Sequence, residues 1–361
     1  MKYIDEYRDK NLVMQIAEKI REISTKPIRL MEVCGGHTMS IQKFGIPSLL
    51  PENIKLLSGP GCPVCVSSRS FIDHAVALSR LPELIITTFG DLIRVPGSTS
   101  YLDREKAAGA DVRIVYSIME AIEIAKKNTD KKVVFLGIGF ETTAPARAAG
   151  IMMAQRLGLK NFFLLSSHKI MPPAMAALID EGVKIDGYIG PGHVSTITGS
   201  EMYNDIAGKY HLGCVISGFE PVDLMQAIYM LVKQMEENDL KVEIQYTRAV
   251  KPEGNVKAKK LMYDVFELRD DWWRGLGILK LSGLKLTDEF SKYDAENMMP
   301  VDIEKTIEPK GCICGEILKG LKLPKECKLF GKACTPQNPV GACMVSSEGS
   351  CHAWYRYNRE G

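Results

Sequence analysis

Leu56-Leu57-Ser58-Gly59-Pro60-Gly61-Cys62-Pro63-Val64-Cys65 runs from an apolar segment through a tight turn toward a helix beginning near Ser67. An extended apolar run, a Gly-containing turn and a helix make up the joint of an α/β unit. The same joint recurs along the chain. Short apolar segments at Ile28–Val33, Ile54–Leu57, Leu84–Phe89, Val112–Tyr116, Val133–Leu136, Phe162–Leu165, Gly187–Ile189 and Cys214–Ile216 are mostly followed by glycine turns. Helical patterns lie between many of them, as at Phe71–Leu81, Ser117–Lys127 and Thr142–Leu157. Strand–turn–helix repetition predicts an α/β fold of parallel sheets covered by helices.

Leu57-Ser58-Gly59-Pro60-Gly61-Cys62 is followed some thirty residues later by Thr87-Thr88-Phe89-Gly90-Asp91. Tyr188-Ile189-Gly190-Pro191-Gly192-His193 is followed at nearly the same distance by Ile216-Ser217-Gly218-Phe219-Glu220. Two similar Rossmann-like halves, 28–130 and 131–250, with a cleft between them, are the expectation. Residues 1–27 form an amphipathic helix, with Leu12, Ile16 and Ile20 on one face, expected to pack on the C-terminal unit. That unit, 251–361, begins with a helix expected over Val256–Leu268, then a Trp-Trp pair and a Gly-rich stretch at Gly275–Leu286.

The chain has 361 residues, enough for two or three domains. Its 46 Lys and Arg against 44 Asp and Glu leave no bulk field for nucleic acid or an anionic membrane, and neither is expected as a partner. Met1 to Lys10 alternate charges where an export signal needs an apolar run, so a cytoplasmic location is expected. The ten cysteines are distributed as Cys34, Cys62 and Cys65, then Cys214, then six from Cys312 to Cys351. Such crowding in a reducing compartment points to metal ligation or redox exchange rather than structural disulfides.

The tail reads Cys312-Ile-Cys314, then Cys327, Cys334, Cys343 and Cys351, punctuated by Gly and Pro that let a chain wrap a small inorganic core. Four thiolates suffice for a cubane cluster or a zinc ion, and six are too many for one site. Zinc ribbons favour Cys-x2-Cys knuckles, which this tail lacks, so a small iron–sulfur domain is the preferred reading. The two spare cysteines are either a dithiol that exchanges electrons beside the cluster or buried thiols acting as small hydrophobes.

Cys62 and Cys65 would stand at a helix N-terminus, where the dipole favours thiolate, which reads as a redox pair. In Met31-Glu32-Val33-Cys34-Gly35-Gly36-His37-Thr38, Cys34 and His37 could reach one soft metal and leave most of its coordination open. A buried strand-end Cys with a hydrogen-bonded His, or a Cys–His nucleophile, fits the same spacing. Asp91 and Arg94 lie on a post-strand loop, where Asp91 also suits a helix cap. Gly137-Ile138-Gly139-Phe140-Glu141-Thr142-Thr143 opens a helix after a strand but lacks the third glycine of a dinucleotide fingerprint and the Lys of a P-loop. His193 is expected at the cleft, His168 and His211 on the polar surface, and Cys214 in the core.

Cys-Gly-Gly-His-Thr at 34–38, Gly-Pro-Gly-Cys-Pro-Val-Cys at 59–65, Thr-Phe-Gly-Asp at 88–91, Gly-Phe-Glu-Thr-Thr at 139–143, Gly-Pro-Gly-His at 190–193 and the six-cysteine tail together closely resemble the HypD family of [NiFe]-hydrogenase maturation proteins. The resemblance spans about Leu30 to Tyr357. It implies a scaffold that assembles the Fe(CN)2CO group with two partners, HypC, which adds a cysteine beside Cys34 to hold the transient iron, and HypE, which delivers cyanide as a thiocyanate. It further implies that Cys62 and Cys65 form a dithiol near the iron, with His37 and Asp91 close by. Cys312, Cys327, Cys334 and Cys351 would hold a [4Fe–4S] cluster, leaving Cys314 and Cys343 as a redox pair similar to that of ferredoxin:thioredoxin reductase. Two other readings remain open: a stand-alone thiol–disulfide reductase, and a nucleotide-binding α/β protein with structural zinc.

Overall fold

The computed structural model of the protein describes residues 5–358. Its strands are β1 (Ile28–Glu32), β2 (Ile54–Ser58), β3 (Leu84–Thr88), β4 (Asp111–Ile114), β5 (Lys132–Gly139), β6 (Phe162–Lys169), β7 (Gly187–Pro191), β8 (Gly213–Ser217), β9 (Val242–Ile244), β10 (Phe266–Trp273) and β11 (Gly277–Leu286). They form a five-stranded sheet in the order β2-β1-β7-β8-β9 and a six-stranded sheet in the order β10-β11-β6-β5-β3-β4. Every pairing in the first sheet is parallel. In the second, β3 to β6 pair parallel and the β10–β11 hairpin joins β6 antiparallel. The expected α/β class with two parallel sheets is what the chain adopts.

The division into 28–130 and 131–250 is corrected. β3 and β5 are direct neighbours, so a cut at residue 130 would split one sheet. The chain makes β1 and β2, crosses to the second sheet for β3 to β6, and returns for β7 to β9. Both Gly-Pro-Gly turns therefore belong to one sheet, and they do not mark two consecutive halves.

Strand residues alternate between two cores, which explains their unbroken apolar runs. Met31, Ile86, Val134, Leu136, Leu165, Tyr188, Cys214 and Ile216 face one core shared by the two sheets and the cysteine-rich tail. Their neighbours Leu30, Ile189 and Val215 face helices on the far side of the first sheet. Ile85, Val133, Phe135, Phe162 and Leu164 face helices on the far side of the second. Cys214 is core, as expected.

Helix α1 (Lys10–Ile23) carries Val13, Ile16, Ala17 and Ile20 on its buried face. It packs on the helix Pro221–Glu237 of the first sheet, not on the C-terminal unit. Its apolar stripe matches Leu224, Ile228 and Leu231 there, and each large side chain so buried contributes about 1.5–3 kcal/mol. The helix expected to reach Leu268 ends at Val265, and Phe266 to Trp273 become β10. Tertiary pairing prevails there, because the hairpin covers the edge that β6 would otherwise leave open.

Candidate functional site

In the first sheet the chain steps outward from β1 to β2 and later places β7 on β1's other side, so the crevice beyond the ends of β1 and β7 is the switch point where α/β sheets bind ligands. Cys34 follows β1 as the N-cap of helix α2 (Gly35–Lys43). The turn after β2 is locked against it, with Gly59 N donating to Glu32 O at 2.8 Å and Gly35 N to Gly61 O at 3.0 Å. A Cβ on Gly61 would lie 2.1 Å from Cys34 N, so only glycine permits this approach. Burial pushes the Cys34 thiol up to about 12, with Glu348 adding to the rise.

Glu32 is fully enclosed beneath Cys34. Its carboxylate accepts from Cys34 N at 3.0 Å and Thr38 Oγ1 at 2.5 Å, and burial raises it to about 8. Sequence reasoning passed over this residue, although an acid inside the apolar run Leu30–Val33 is a legible anomaly.

His37 is fully buried, and its Nε2 lies 3.2 and 3.0 Å from the carbonyls of Ser217 and Gly218. Carbonyls only accept, so Nε2 carries the proton and the Nδ1 lone pair is left without a partner. Burial lowers this imidazole to about 4. One hydrogen-bonded nitrogen orienting a free one is the arrangement of a ligand histidine. Phe219 lies between two imidazoles, 4.6 Å from His37 and 3.8 Å from His193. The His193 face of this stack opens on a cavity of about 710 Å3, also lined by Gly36, Tyr246, Arg248 and Glu348.

Cys62 is the N-cap of the short helix α3 (Pro63–Val66) and accepts from Cys65 N through Sγ at 3.3 Å. Both thiols are buried. Helix α3 packs on the turn Ala342–Met344, which brings the tail to the dithiol. Burial raises the Cys65 thiol well above its ordinary value, reinforced by hydrogen bonds to Cys343 and Cys62. Cys343 shifts the other way, because Cys314 and Cys65 both hydrogen-bond to it. Cys314 in turn accepts from Cys312 at 3.2 Å and is hydrogen-bonded to Cys351. The contacts thus run from Cys62 through Cys65, Cys343 and Cys314 to Cys312 and Cys351.

Among the described residues, no three His, Cys, Asp or Glu side chains are gathered to hold a single ion. The tail nevertheless suits a thiolate-ligated group. Val340 N donates to Cys334 Sγ at 3.4 Å, as an amide does to a thiolate. Gly341 keeps space open, since a Cβ there would lie 2.7 Å from Cys312 Sγ and 2.5 Å from Cys314 Sγ. Cys327 lies at the outer side, its Sγ 3.7 Å from Gly311 O, and only Cys312 and Cys327 among the tail thiols are partly exposed. Soft thiol donors fit an iron–sulfur group.

Asp91 is exposed and makes no side-chain cap bond, so the capping explanation fails. It faces Glu348, whose Cβ a side chain on Gly35 would touch, so Asp91 sits on the Cys34 side of the molecule. Arg94 ties the same loop to the tail through Pro336 O at 3.3 Å. His168, expected at the surface, is fully buried at the end of β6 beneath β11, its ring against Ser166 Oγ at 3.0 Å. His211 is exposed as expected. No described helix is long and apolar enough to cross a membrane.

The family model described as HypD, "Hydrogenase formation hypA family", matches residues 10–358. The hydrogenase maturation factor HypD of Azotobacter vinelandii is 48% identical, covering 100% of this chain and 98% of its own length. The corresponding factor of Escherichia coli K12 is 44% identical over 100% of this chain and 99% of its own. That of Cupriavidus necator H16 is 44% identical, covering 99% and 98%.

Proposed function

The chain belongs to the HypD family of hydrogenase maturation factors, and from that premise we propose that it is the scaffold on which the Fe(CN)2CO group of a [NiFe] active site is assembled with HypC and HypE in the cytoplasm. The observation that carries this reading is the unbroken line of thiol contacts from the dithiol to the tail. Cys34 receives the iron as substrate beside a cysteine of HypC, and His37, on the helix that Cys34 caps, keeps a free buried Nδ1. The neighbouring cavity beside Gly36, His193 and Glu348 is open and admits partner proteins.

When bound by Cys312, Cys327, Cys334 and Cys351, a [4Fe–4S] cluster supplies electrons to this line. The protein's own thiols do the exchange. Cys343 thiolate attacks Cys65 Sγ of an oxidised Cys62–Cys65 pair, which breaks that S–S bond and releases Cys62 thiolate. Cys314 thiolate then attacks Cys343 Sγ and releases Cys65 thiolate. One disulfide is reduced and one, Cys314–Cys343, is formed. Two electrons have moved from the tail to the turn beside Cys34, where cyanide transfer from a thiocyanate consumes reducing equivalents.

The test is infrared spectroscopy of protein produced with its two partners. Wild type carries the stretching bands of metal-bound cyanide and carbon monoxide, and Cys34→Ala loses them while its Cys62–Cys65 dithiol still forms. Bands that persist in Cys34→Ala contradict the scaffold reading, as does wild type without such bands, the result a stand-alone reductase would give.

A further inference from the structure

No motif in the sequence singles out Arg274. The residue is only 6% exposed. Its Nε donates to Cys65 O at 2.9 Å, its Nη2 to Ser67 O at 2.9 Å, and its backbone N to Val66 O at 3.0 Å. Three successive carbonyls at the C-terminal end of α3, groups that a helix leaves unsatisfied, are all met by one residue. Its Nη1 meets Glu308 Oε2 at 3.1 Å. Gly275 follows with a φ of +86° and packs against Gly315, beside Cys314, so the arginine is anchored to the tail as well as to the dithiol turn.

We propose that Arg274 is a positioning residue that clamps the Cys62–Cys65 turn to the tail and, as a buried cation, biases that pair toward its reduced, negatively charged form. This rests on the dithiol reading above. Reduction of the pair breaks one S–S bond, takes two electrons from the Cys314–Cys343 thiols, and leaves thiolate charge in a poorly solvated interior. A fixed cation bonded to the carbonyls of the same turn offsets that charge. The surrounding charges leave this role open to Arg274. Arg69, also buried, faces Asp73 and shares Glu308, while Asp73 is held by Ser98 and Thr306. Glu308 is half exposed and is the one carboxylate paired with Arg274 among the described residues.

The experiment equilibrates the full-length protein in dithiothreitol redox buffers, quenches it in acid, and quantifies the Cys62–Cys65 disulfide by differential alkylation and mass spectrometry. Arg274→Gln is expected to shift the ratio of disulfide to dithiol toward disulfide by about tenfold, close to 30 mV for this two-electron couple. Arg274→Lys, which keeps the charge and loses the fork, stays within about threefold of wild type. Glu308→Gln removes a competing anion at a half-exposed site and shifts the ratio toward dithiol, which keeps the test valid should Arg274→Gln not fold. An unchanged ratio in Glu308→Gln or in folded Arg274→Gln, or a shift in Arg274→Lys as large as in Arg274→Gln, overturns the inference. If wild type forms no Cys62–Cys65 disulfide in any buffer, the dithiol reading itself is at fault.

Discussion

The thiols of Cys65 and Cys343 lie close enough to shift one another in opposite directions, joining the turn after β2 to the far end of the chain. Burial, then the bonds to Cys343 and Cys62, hold Cys65 protonated, while the bonds from Cys314 and Cys65 favour thiolate at Cys343. The attacking sulfur is the one whose thiolate is stabilised, and its target lies in contact. A Cys62→Ser variant leaves Cys65 no local partner. One equivalent of diamide should then accumulate a Cys65–Cys343 disulfide, read by peptide mapping; Cys65 remaining free, or pairing elsewhere, would show that the contact does not support exchange.

Two glycines serve sulfur rather than a turn. Gly341→Ala places a methyl group against Cys312 and Cys314, and iron and sulfide per chain should fall by more than half with circular dichroism unchanged. Gly61→Ala drives a methyl group into the backbone of Cys34 and should lower stability by about 1–3 kcal/mol in urea unfolding and weaken the infrared bands. Gly208→Ala, which meets nothing within 4 Å and ends a short helix, is the neutral control.

Glu141, buried after β5, gives a pH dependence with a definite sign. Its Oε1 accepts from Met171 N at 2.9 Å, its Oε2 has no partner, and burial raises its pKa from 4.5 to about 7. Below pH 4.5 the group is protonated in both states and its stabilisation is complete. As pH rises the unfolded chain ionises first, so that contribution is lost by the time pH passes 7, a change of about 3 kcal/mol from 1.36 kcal/mol per unit. Chemical unfolding of wild type relative to Glu141→Gln should show this decline between pH 4.5 and 7.5. Glu32, raised to about 8, adds a trend of the same sign to both proteins and cancels in the difference. A flat difference would mean that Glu141 is solvated.

Strands β1 to β8 were legible, because buried parallel strands read as unbroken apolar runs and most are followed by a glycine turn, whereas β9 and the β10–β11 hairpin were not. Which strands share a sheet was not, since nothing local in Ser58 or Lys169 announces a crossover to the other sheet. The two Gly-Pro-Gly turns looked like the start of a repeat, yet they flank β1 in a single sheet and shape one crevice. Cys34, Cys62 and the tail cysteines stood out by residue type and spacing. Glu32 was legible as an acid inside an apolar run but was passed over; Phe219 and Arg274 were not legible, because their importance lies in contacts with residues far away in sequence, and His168 was placed at the surface because β11 arrives from over a hundred residues later to cover it.

The most direct measurement of the central claim is whether electrons given to the tail reach the turn beside Cys34. The protein, isolated anaerobically with its partners and with the Cys62–Cys65 pair oxidised, is reduced with dithionite while the cluster is followed by electron paramagnetic resonance and the four thiols by quenched alkylation. Reduction of the cluster should be followed by loss of the Cys62–Cys65 disulfide in wild type, and Cys343→Ser should leave that disulfide intact with the cluster reduced. A disulfide that persists in wild type, or that is lost equally fast in Cys343→Ser, would contradict the thiol line as the route.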